Sequence, residues 1–229
     1  MLFLMSWIAT ERFEARTAPA GLALVQELIN THAVERGPGA DLLADRAPAQ
    51  EWLAGAARQW AESRGADAPQ VSLSDADVEA LRDLRALVVE MLAVPFDERP
   101  AGAPGPFAGL TGRAPVVLVS DPQGRVGLMP SGTGLGWLES AVWSEILLAQ
   151  QSGEWARLKL CRESGCRSAF YDTSRNSSGV WHNVRTCGNI ANLRAARDRK
   201  KQRTTADGGP GRGGEPAGAQ EAADSRGRA

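Results

Sequence analysis

Three cysteines and one histidine are concentrated in a single short stretch of this chain. The protein has 229 residues, yet all three cysteines fall between positions 161 and 187, together with one of its two histidines. Their order is Cys-x4-Cys, a gap of fifteen residues, and then His-x4-Cys. Zn²⁺ prefers sulfur and imidazole ligands in a tetrahedron, and two close ligand pairs separated by a loop are typical of structural zinc sites. We therefore predict one zinc site with the ligands Cys161, Cys166, His182 and Cys187.

Other interpretations of these four residues remain open. The cysteines could be ordinary buried thiols, and His182 could be a hydrogen-bonded core residue. A disulfide framework fits less well because three is an odd number, and a Cys–His nucleophile pair rarely forms within such a short segment. Four protein ligands leave no open position for a reactive water, so we predict a structural metal and no enzyme activity. Gly165 and Gly188, which adjoin ligands, are expected to adopt positive φ angles.

Charge is distributed unevenly along the chain. The formal net charge is −1, but residues 155–203 contain twelve Lys/Arg and three Asp/Glu, a local charge of +9. The rest of the chain then carries a charge of −10. An acidic body joined to a basic module indicates a polyanionic partner for the basic part.

Length and composition favour one main domain with a smaller module. A chain of 229 residues that is 43% hydrophobic can bury a substantial core. The segment MLFLMSWIAT at the amino terminus lacks a basic region and a cleavage site, and it is too short to span a bilayer. We expect a cytoplasmic protein with no membrane anchor.

The first 152 residues are predicted to form a helical domain with one β-hairpin. Apolar residues recur at helical spacing in 21–30, 48–63, 75–94 and 135–150, and Ser74 is a suitable N-cap for the third helix. Two β-rich runs, 115–120 and 125–129, flank the turn sequence Asp-Pro-Gln-Gly at 121–124. A short apolar element is expected to start at 41–45, and a Pro/Gly-rich loop at 95–115. His32 is interpreted as a surface or helix-capping residue.

Residues 155–203 are predicted to form a small module that depends on zinc. Phe170, Tyr171 and Trp181 would supply its core, because fewer than fifty residues cannot normally bury enough surface to fold alone. Asn189 is expected to cap a helix that ends near Lys201, with Ile190, Leu193 and Ala196 toward the metal core. Residues 204–229, rich in Gly, Ala and Pro, are expected to be disordered.

A basic helix on a metal-held module is suited to duplex DNA, because Lys and Arg neutralise phosphates and a helix fits the major groove. The loop between the ligand pairs could add hydrogen bonds to phosphates or base edges. The predicted nucleic-acid contacts are Ser174, Arg175, Asn176, Arg185, Asn189, Arg194, Arg197, Arg199, Lys200 and Lys201.

The module resembles the CGNR zinc-finger family. The family pattern of Cys-x4-Cys, an aromatic-Asp-x-Ser-Arg-Asn stretch, Trp-Cys-x4-Cys-Gly-Asn-Arg and a basic helix is matched at 161–166, 170–176 and 181–189. Here His182 stands for the family's third cysteine, Ile190 for the arginine, and Gly179-Val180 for basic residues before the tryptophan. Residues 19–31 and 41–43 also look like the helical domain that precedes this finger in bacterial proteins, described as a stress-induced transcription regulator. The resemblance implies DNA binding and transcriptional control.

These observations lead to one main hypothesis and two alternatives. The chain is predicted to be mostly α with one small hairpin, and to act as a bacterial transcriptional regulator that binds DNA through a Cys3His zinc finger and the basic helix after it. The expected partners are DNA, a small-molecule or protein effector at the amino-terminal domain, and a second copy in a homodimer. A zinc-stabilised protein-interaction adaptor is the first alternative, and RNA binding is the second.

Overall fold

The computed structural model describes residues 7–33, 39–94 and 114–207, with side chains up to residue 202. Helices dominate it, and two short antiparallel ribbons complete it. The elements in chain order are α1 (Ile8–Glu11), α2 (Leu22–Ile29), α3 (Arg46–Arg64), α4 (Asp75–Ala93), β1 (Val116–Ser120), β2 (Val126–Pro130), α5 (Gly134–Ser152), β3 (Leu158–Leu160), β4 (Ala169–Tyr171) and α6 (Asn189–Asp207).

Helix α2 occupies the centre of the fold. All eight of its residues are buried, and it packs against α1, α3, α4 and α5. The apolar side chains come from a sequence in which Leu22, Val25, Leu28 and Ile29 follow helical spacing. A helix buried on every side must also satisfy its polar side chains internally, and α2 does so by binding neighbouring segments.

Glu27 shows how a polar residue of α2 organises its neighbours. Its carboxylate accepts hydrogen bonds from the backbone N–H groups of Ala9 (2.7 Å) and Thr10 (2.9 Å). These donors lie at the start of α1, where N–H groups have no partner within the helix. The indole N–H of Trp52 donates to the same carboxylate at 3.3 Å. Burial raises the pKa of Glu27 above its ordinary value despite these donors.

The longer helices begin and end where local sequence signals predict. Ser74 and Asp77 form a reciprocal capping box at the start of α4, which confirms Ser74 as the N-cap. Helix α3 ends at Gly65, whose φ of 61° is the left-handed conformation that favours glycine. The predicted segments 21–30, 48–63, 75–94 and 135–150 correspond to α2, α3, α4 and α5.

The predicted hairpin is formed by β1 and β2. Their register pairs Val116 with Pro130 and Ser120 with Val126, and Gly124 has a φ of 77° in the turn. The hydroxyl of Ser140 on α5 joins both ends of the hairpin: it donates to the carbonyl of Pro115 (2.6 Å) and accepts from the amide of Ser131 (3.1 Å).

Some elements differ from the sequence prediction. The ribbon β3–β4 and the short helix α1 were not predicted, because three- and four-residue elements carry no clear periodicity. Residues 41–45 form turns rather than a regular element, although Leu43 is fully buried. Helix α6 continues to Asp207, past its predicted end near Lys201 and into the tail that was predicted to be disordered from residue 204. Most of the predicted loop 95–115, and residues 208–229 of the predicted tail, lie outside the described residues. Within the described residues, no helix has both the length and the apolar content required to cross a membrane.

The chain divides into two compact units, with the division after Ala191. The first unit continues from the helices through the segment that holds the cysteines, and the second begins at Asn192. The division therefore does not coincide with the predicted domain boundary between 152 and 155.

Within the first unit, Asn30 and Gln26 join α2 to the strand β4. The side chain of Asn30 accepts from the amide of Ala169 (2.7 Å) and donates to its carbonyl (3.0 Å), and the amide of Gln26 donates to the same carbonyl (3.1 Å). Ala169 is fully buried, so its backbone has no access to water. These bonds attach the cysteine-bearing segment to the helical core.

We expect Asn30→Ala to destabilise the whole first unit. The buried amide of Ala169 would lose its acceptor, which should cost about 2–3 kcal/mol of unfolding free energy. Urea denaturation followed by circular dichroism measures the change, with Gln151→Ala on the exposed surface of α5 as the control. Equal stability of both variants would show that the Asn30 contact contributes nothing.

Candidate metal centre

The four predicted ligands lie together in the structure. The sulfur atoms of Cys161, Cys166 and Cys187 and a ring nitrogen of His182 all lie within 4.8 Å of one another. Nδ1 of His182 is 3.3 Å from Sγ of Cys166 and 3.6 Å from Sγ of Cys187. Tetrahedral zinc with Zn–S and Zn–N bonds of about 2.3 and 2.0 Å requires ligand–ligand separations of roughly 3.5–3.8 Å. The donor set therefore fits one Zn²⁺ ion.

The chemistry of the donor atoms is also suited to a cation. Cys161, Cys166 and Cys187 are buried, and three thiolates this close would repel one another without a positive ion. Hydrogen bonding from the Cys161 thiol lowers the pKa of Cys166 to about 3. The same hydrogen bond raises the pKa of Cys161 above its ordinary value. A bound metal would hold all three thiols deprotonated.

The first ligand pair is held by a tight turn. The amide of Cys161 donates to the carbonyl of Ser168 (2.8 Å), and the amide of Cys166 donates to that of Glu163 (2.9 Å). The hydroxyl of Ser168 is fully buried and lies 3.2 Å from Sγ of Cys166. The positive φ of this turn is at Arg167 (53°) rather than at Gly165, so the expectation for Gly165 was wrong.

The second ligand pair adjoins a helical turn. Asn183 follows His182, and its side-chain oxygen accepts from the amides of Arg185 (2.9 Å) and Thr186 (3.3 Å). Helical backbone thus begins at Val184, in a π-turn (Val184–Gly188) that contains Cys187. The predicted cap, Asn189, has helical φ and ψ angles and lies inside the helical run. The N-cap was therefore misplaced by six residues.

Gly188 does not have the expected positive φ angle, but its surroundings are tightly packed. A Cβ atom there would lie 3.3 Å from Val184 and 3.4 Å from the indole of Trp181. The predicted inward face of the following helix is also only partly correct. Ile190 is half-buried, but Leu193 is 58% exposed and Ala196 is exposed.

The amino-terminal segment covers the metal centre. Phe13 is buried in one cluster with the three cysteines and Phe170, with Trp181 packed against it. Its ring lies edge-on to His182, with centroids 6.3 Å apart. The carbonyl of Arg16 accepts from the amide of Tyr171 (3.0 Å), which adds a backbone bond beside β4. Phe13 was missed as a site residue because its sequence neighbours carry no ligand pattern.

His32, the second histidine, also reaches this region. Its Nδ1 is 2.8 Å from the carbonyl of Ile29, in agreement with a helix-capping role. Its Nε2 is 2.9 Å from the carbonyl of Cys166, and its ring stacks on Phe13 at a centroid distance of 5.2 Å. His32 therefore supports the backbone of one ligand without belonging to the four-ligand cluster.

The loop from 172 to 179 is held by Asp172. The Asp172 carboxylate, almost fully buried, accepts from Nζ of Lys159 (2.7 Å) and from the amides of Ser174 (2.9 Å) and Gly179 (2.7 Å). Burial raises the pKa of Asp172, but the donors from Lys159 and Ser174 outweigh it and hold the pKa well below its ordinary value. A Cβ atom at Gly179 would lie 2.8 Å from this carboxylate. A basic side chain at position 179 would therefore require the carboxylate to shift.

The predicted nucleic-acid contacts lie in two places. In the first unit, Arg175 and Asn176 are exposed at the tip of the 172–179 loop, Ser174 is half-buried, and Asn189 donates to the carbonyl of Arg185 (2.7 Å). In the second unit, every residue from 192 to 202 is exposed. This part of α6 contains Arg194, Arg197, Arg199, Lys200 and Lys201.

We expect His182→Ala to lose zinc and His32→Ala to retain it. Only His182 contributes a ligand atom, whereas His32 contacts the backbone of Cys166. Elemental analysis of the purified proteins should give one zinc per chain for the parent and His32→Ala, and much less than one for His182→Ala and Cys187→Ser. Equal zinc content in all four proteins would contradict the ligand assignment.

We expect Asp172→Asn to reduce stability by about 1–3 kcal/mol, because Lys159 would lose its buried carboxylate. A carboxylate whose pKa is depressed in the folded state makes its full contribution to the unfolding free energy above its unfolded pKa of about 3.9. This contribution is lost only as the pH falls further, toward the pKa of the folded state. The difference between parent and variant in urea denaturation should therefore be constant from pH 6 to 8. A difference that changes strongly over this range would contradict the assignment.

Comparison with known proteins identifies the segment that contains this site. No curated protein matches the chain. Residues 157–200 match the model of the CGNR zinc finger family, and this range includes all four ligands and the first twelve residues of α6. This segment of the chain is therefore a CGNR zinc finger with a Cys3His ligand set for one zinc ion.

Proposed function

We propose that the protein binds duplex DNA through its zinc finger and the basic helix α6, and that it regulates transcription. The observation that carries the proposal is the charge of +9 in residues 155–203, which coincides with a metal-held fold in an otherwise acidic chain. Basic residues that neutralise phosphates release counterions, and this is the main source of affinity for DNA.

Exposure of the basic residues supports this proposal. Arg194, Arg197 and Lys201 recur at helical spacing along α6 and are all exposed. Hydrogen bonds with bases or phosphates require side chains that water can reach in the free protein, and these residues meet that condition.

The 172–179 loop supports it independently. Asp172, Lys159 and Arg157 fix the backbone of this loop, since Arg157 donates to the carbonyls of Asp172 (3.0 Å) and Ser174 (3.1 Å). A loop that is ordered before binding loses little conformational entropy on binding. Arg175 and Asn176 at its exposed tip are therefore suited to contact phosphates or base edges. The tip residues were predicted from the sequence, whereas the three residues that position them were not.

The metal has a structural role in this proposal. Its four protein ligands fill a tetrahedral shell, so the zinc would supply folding energy rather than a reactive water. We propose accordingly that the protein is not an enzyme and that its finger serves recognition.

We expect Arg194→Ala combined with Arg197→Ala to weaken DNA binding at all sequences. Loss of two phosphate contacts should reduce the slope of log affinity against log salt by up to about 1.8. Fluorescence anisotropy with a labelled duplex at several salt concentrations measures both quantities. The control is Arg46→Ala with Arg58→Ala, which removes the same charge from exposed positions on α3.

The outcome separates the main proposal from its alternatives. Parental affinity and slope in the α6 double variant would exclude α6 as the contact. Absence of salt-dependent binding of the zinc-loaded parent to duplex DNA would exclude the proposed function. Tighter binding to single-stranded RNA than to duplex DNA would favour the RNA alternative.

A further inference from the structure

The β1–β2 hairpin exposes apolar side chains on both of its faces. Val116, Leu118 and Val126 share one face and are 42%, 68% and 69% exposed. Val117 and Val119 lie on the other face and are 52% and 43% exposed. An antiparallel ribbon at a protein surface normally has one apolar and one polar face, because only one of them is covered. This pattern instead indicates a ribbon that is covered further in an assembly.

The outer edge of β1 has free backbone groups. The amide of Asp121 donates to the carbonyl of Arg125 (2.9 Å), so the alternation of an antiparallel pair directs the amides of Val116, Leu118 and Ser120 away from β2. Among the described residues, no third strand joins this two-stranded sheet. The opposite edge is protected, since Pro130 lacks an amide and β2 packs against α5.

The edge also lacks the features that usually prevent strand pairing. Proteins protect exposed edges with lysines, prolines, bulges or inward-pointing charges, and β1 has the sequence Val-Val-Leu-Val-Ser. The charged residues between 114 and 131 are Asp121 and Arg125, and they form an ion pair with each other (2.6 Å) in the turn. No charge on the hairpin therefore repels a second copy or attracts a charged partner.

We propose that β1 pairs antiparallel with β1 of a second copy of this chain, giving a four-stranded sheet across a two-fold axis. With the axis at Leu118, Val116 lies opposite Ser120 of the second copy, and each Leu118 lies opposite its counterpart. All three outward amides then find carbonyl acceptors, and the residues in the ladder are neutral. A symmetric pair needs a self-complementary surface, and this edge satisfies that condition.

The expected strength of the dimer follows from its size. A ladder of five residues per copy buries much less than the roughly 800 Å² per partner of a stable interface. We infer a weak dimer that forms in a concentration-dependent way.

Analytical ultracentrifugation of the full zinc-loaded chain, from about 1 to about 500 μM, tests the proposal in the range of weak interfaces. The parent should show reversible monomer–dimer equilibrium. Leu118→Lys, which places a charge on the two-fold axis, should weaken the dimer at least tenfold. Gln123→Lys adds the same charge to the exposed turn outside the ladder and should leave the equilibrium unchanged.

A second measurement locates the contact if Leu118→Lys alters folding. Leu118→Cys should crosslink to its own counterpart with a short bis-maleimide, whereas Gln123→Cys and the parent, whose cysteines are buried zinc ligands, should not. A parent that remains monomeric at all concentrations would overturn the proposal. Equal crosslinking at positions 118 and 123 would also overturn it, as would a dimer whose monomer–dimer equilibrium is the same in both lysine variants as in the parent. Duplex binding by a monomeric parent would leave the proposed function intact.

Discussion

Close approach of three buried sulfur atoms and one imidazole nitrogen is the constraint on which the carboxyl-terminal part of the structure depends. Atoms within 4.8 Å of one another in a low-dielectric region can all be ligands only if a cation compensates their charge. Ser168, Glu163 and Asn183 hold the backbone on either side of the ligands, so the geometry is set by hydrogen bonds close to the metal. The metal ligands and the hydrogen bonds next to them thus determine the structure of the finger.

The helical body completes what this small segment cannot provide. Phe13 closes the apolar side of the ligand cluster, and Asn30, Gln26 and His32 bind the backbone of the finger at Ala169 and Cys166. These partners come from α2 and the segments before and after it, and the polar side chains of Gln26 and Asn30 are themselves buried and need hydrogen-bond partners. The body and the finger therefore satisfy each other's buried polar groups, and neither is a self-sufficient domain in this respect.

Sequence patterns predicted those features that depend on neighbouring residues. The four ligands, the Ser74 cap and the turn at Asp121–Gly124 each follow from residue types at short, fixed spacing, and all three are present. The contacts of Asn30 with Ala169 and of His32 with Cys166 join residues 139 and 134 positions apart, so no local pattern could predict them. Asn183 was not predicted as the N-cap, because that role was assigned to Asn189, which lies inside the helical run.

The helical turn around Cys187 affects the nucleation of the helix α6. The residues from 192 to 202 are all exposed, so this part of the helix buries little apolar surface that could stabilise it. The first hydrogen-bonded turn is the costly step in forming an isolated helix, and here Asn183 and the ligand Cys187 already fix a helical turn immediately before α6. Each further residue then adds a hydrogen bond at low entropic cost. Helix content along α6 should therefore decrease from its carboxyl end as the temperature rises, while the metal-bound turn retains the helical state.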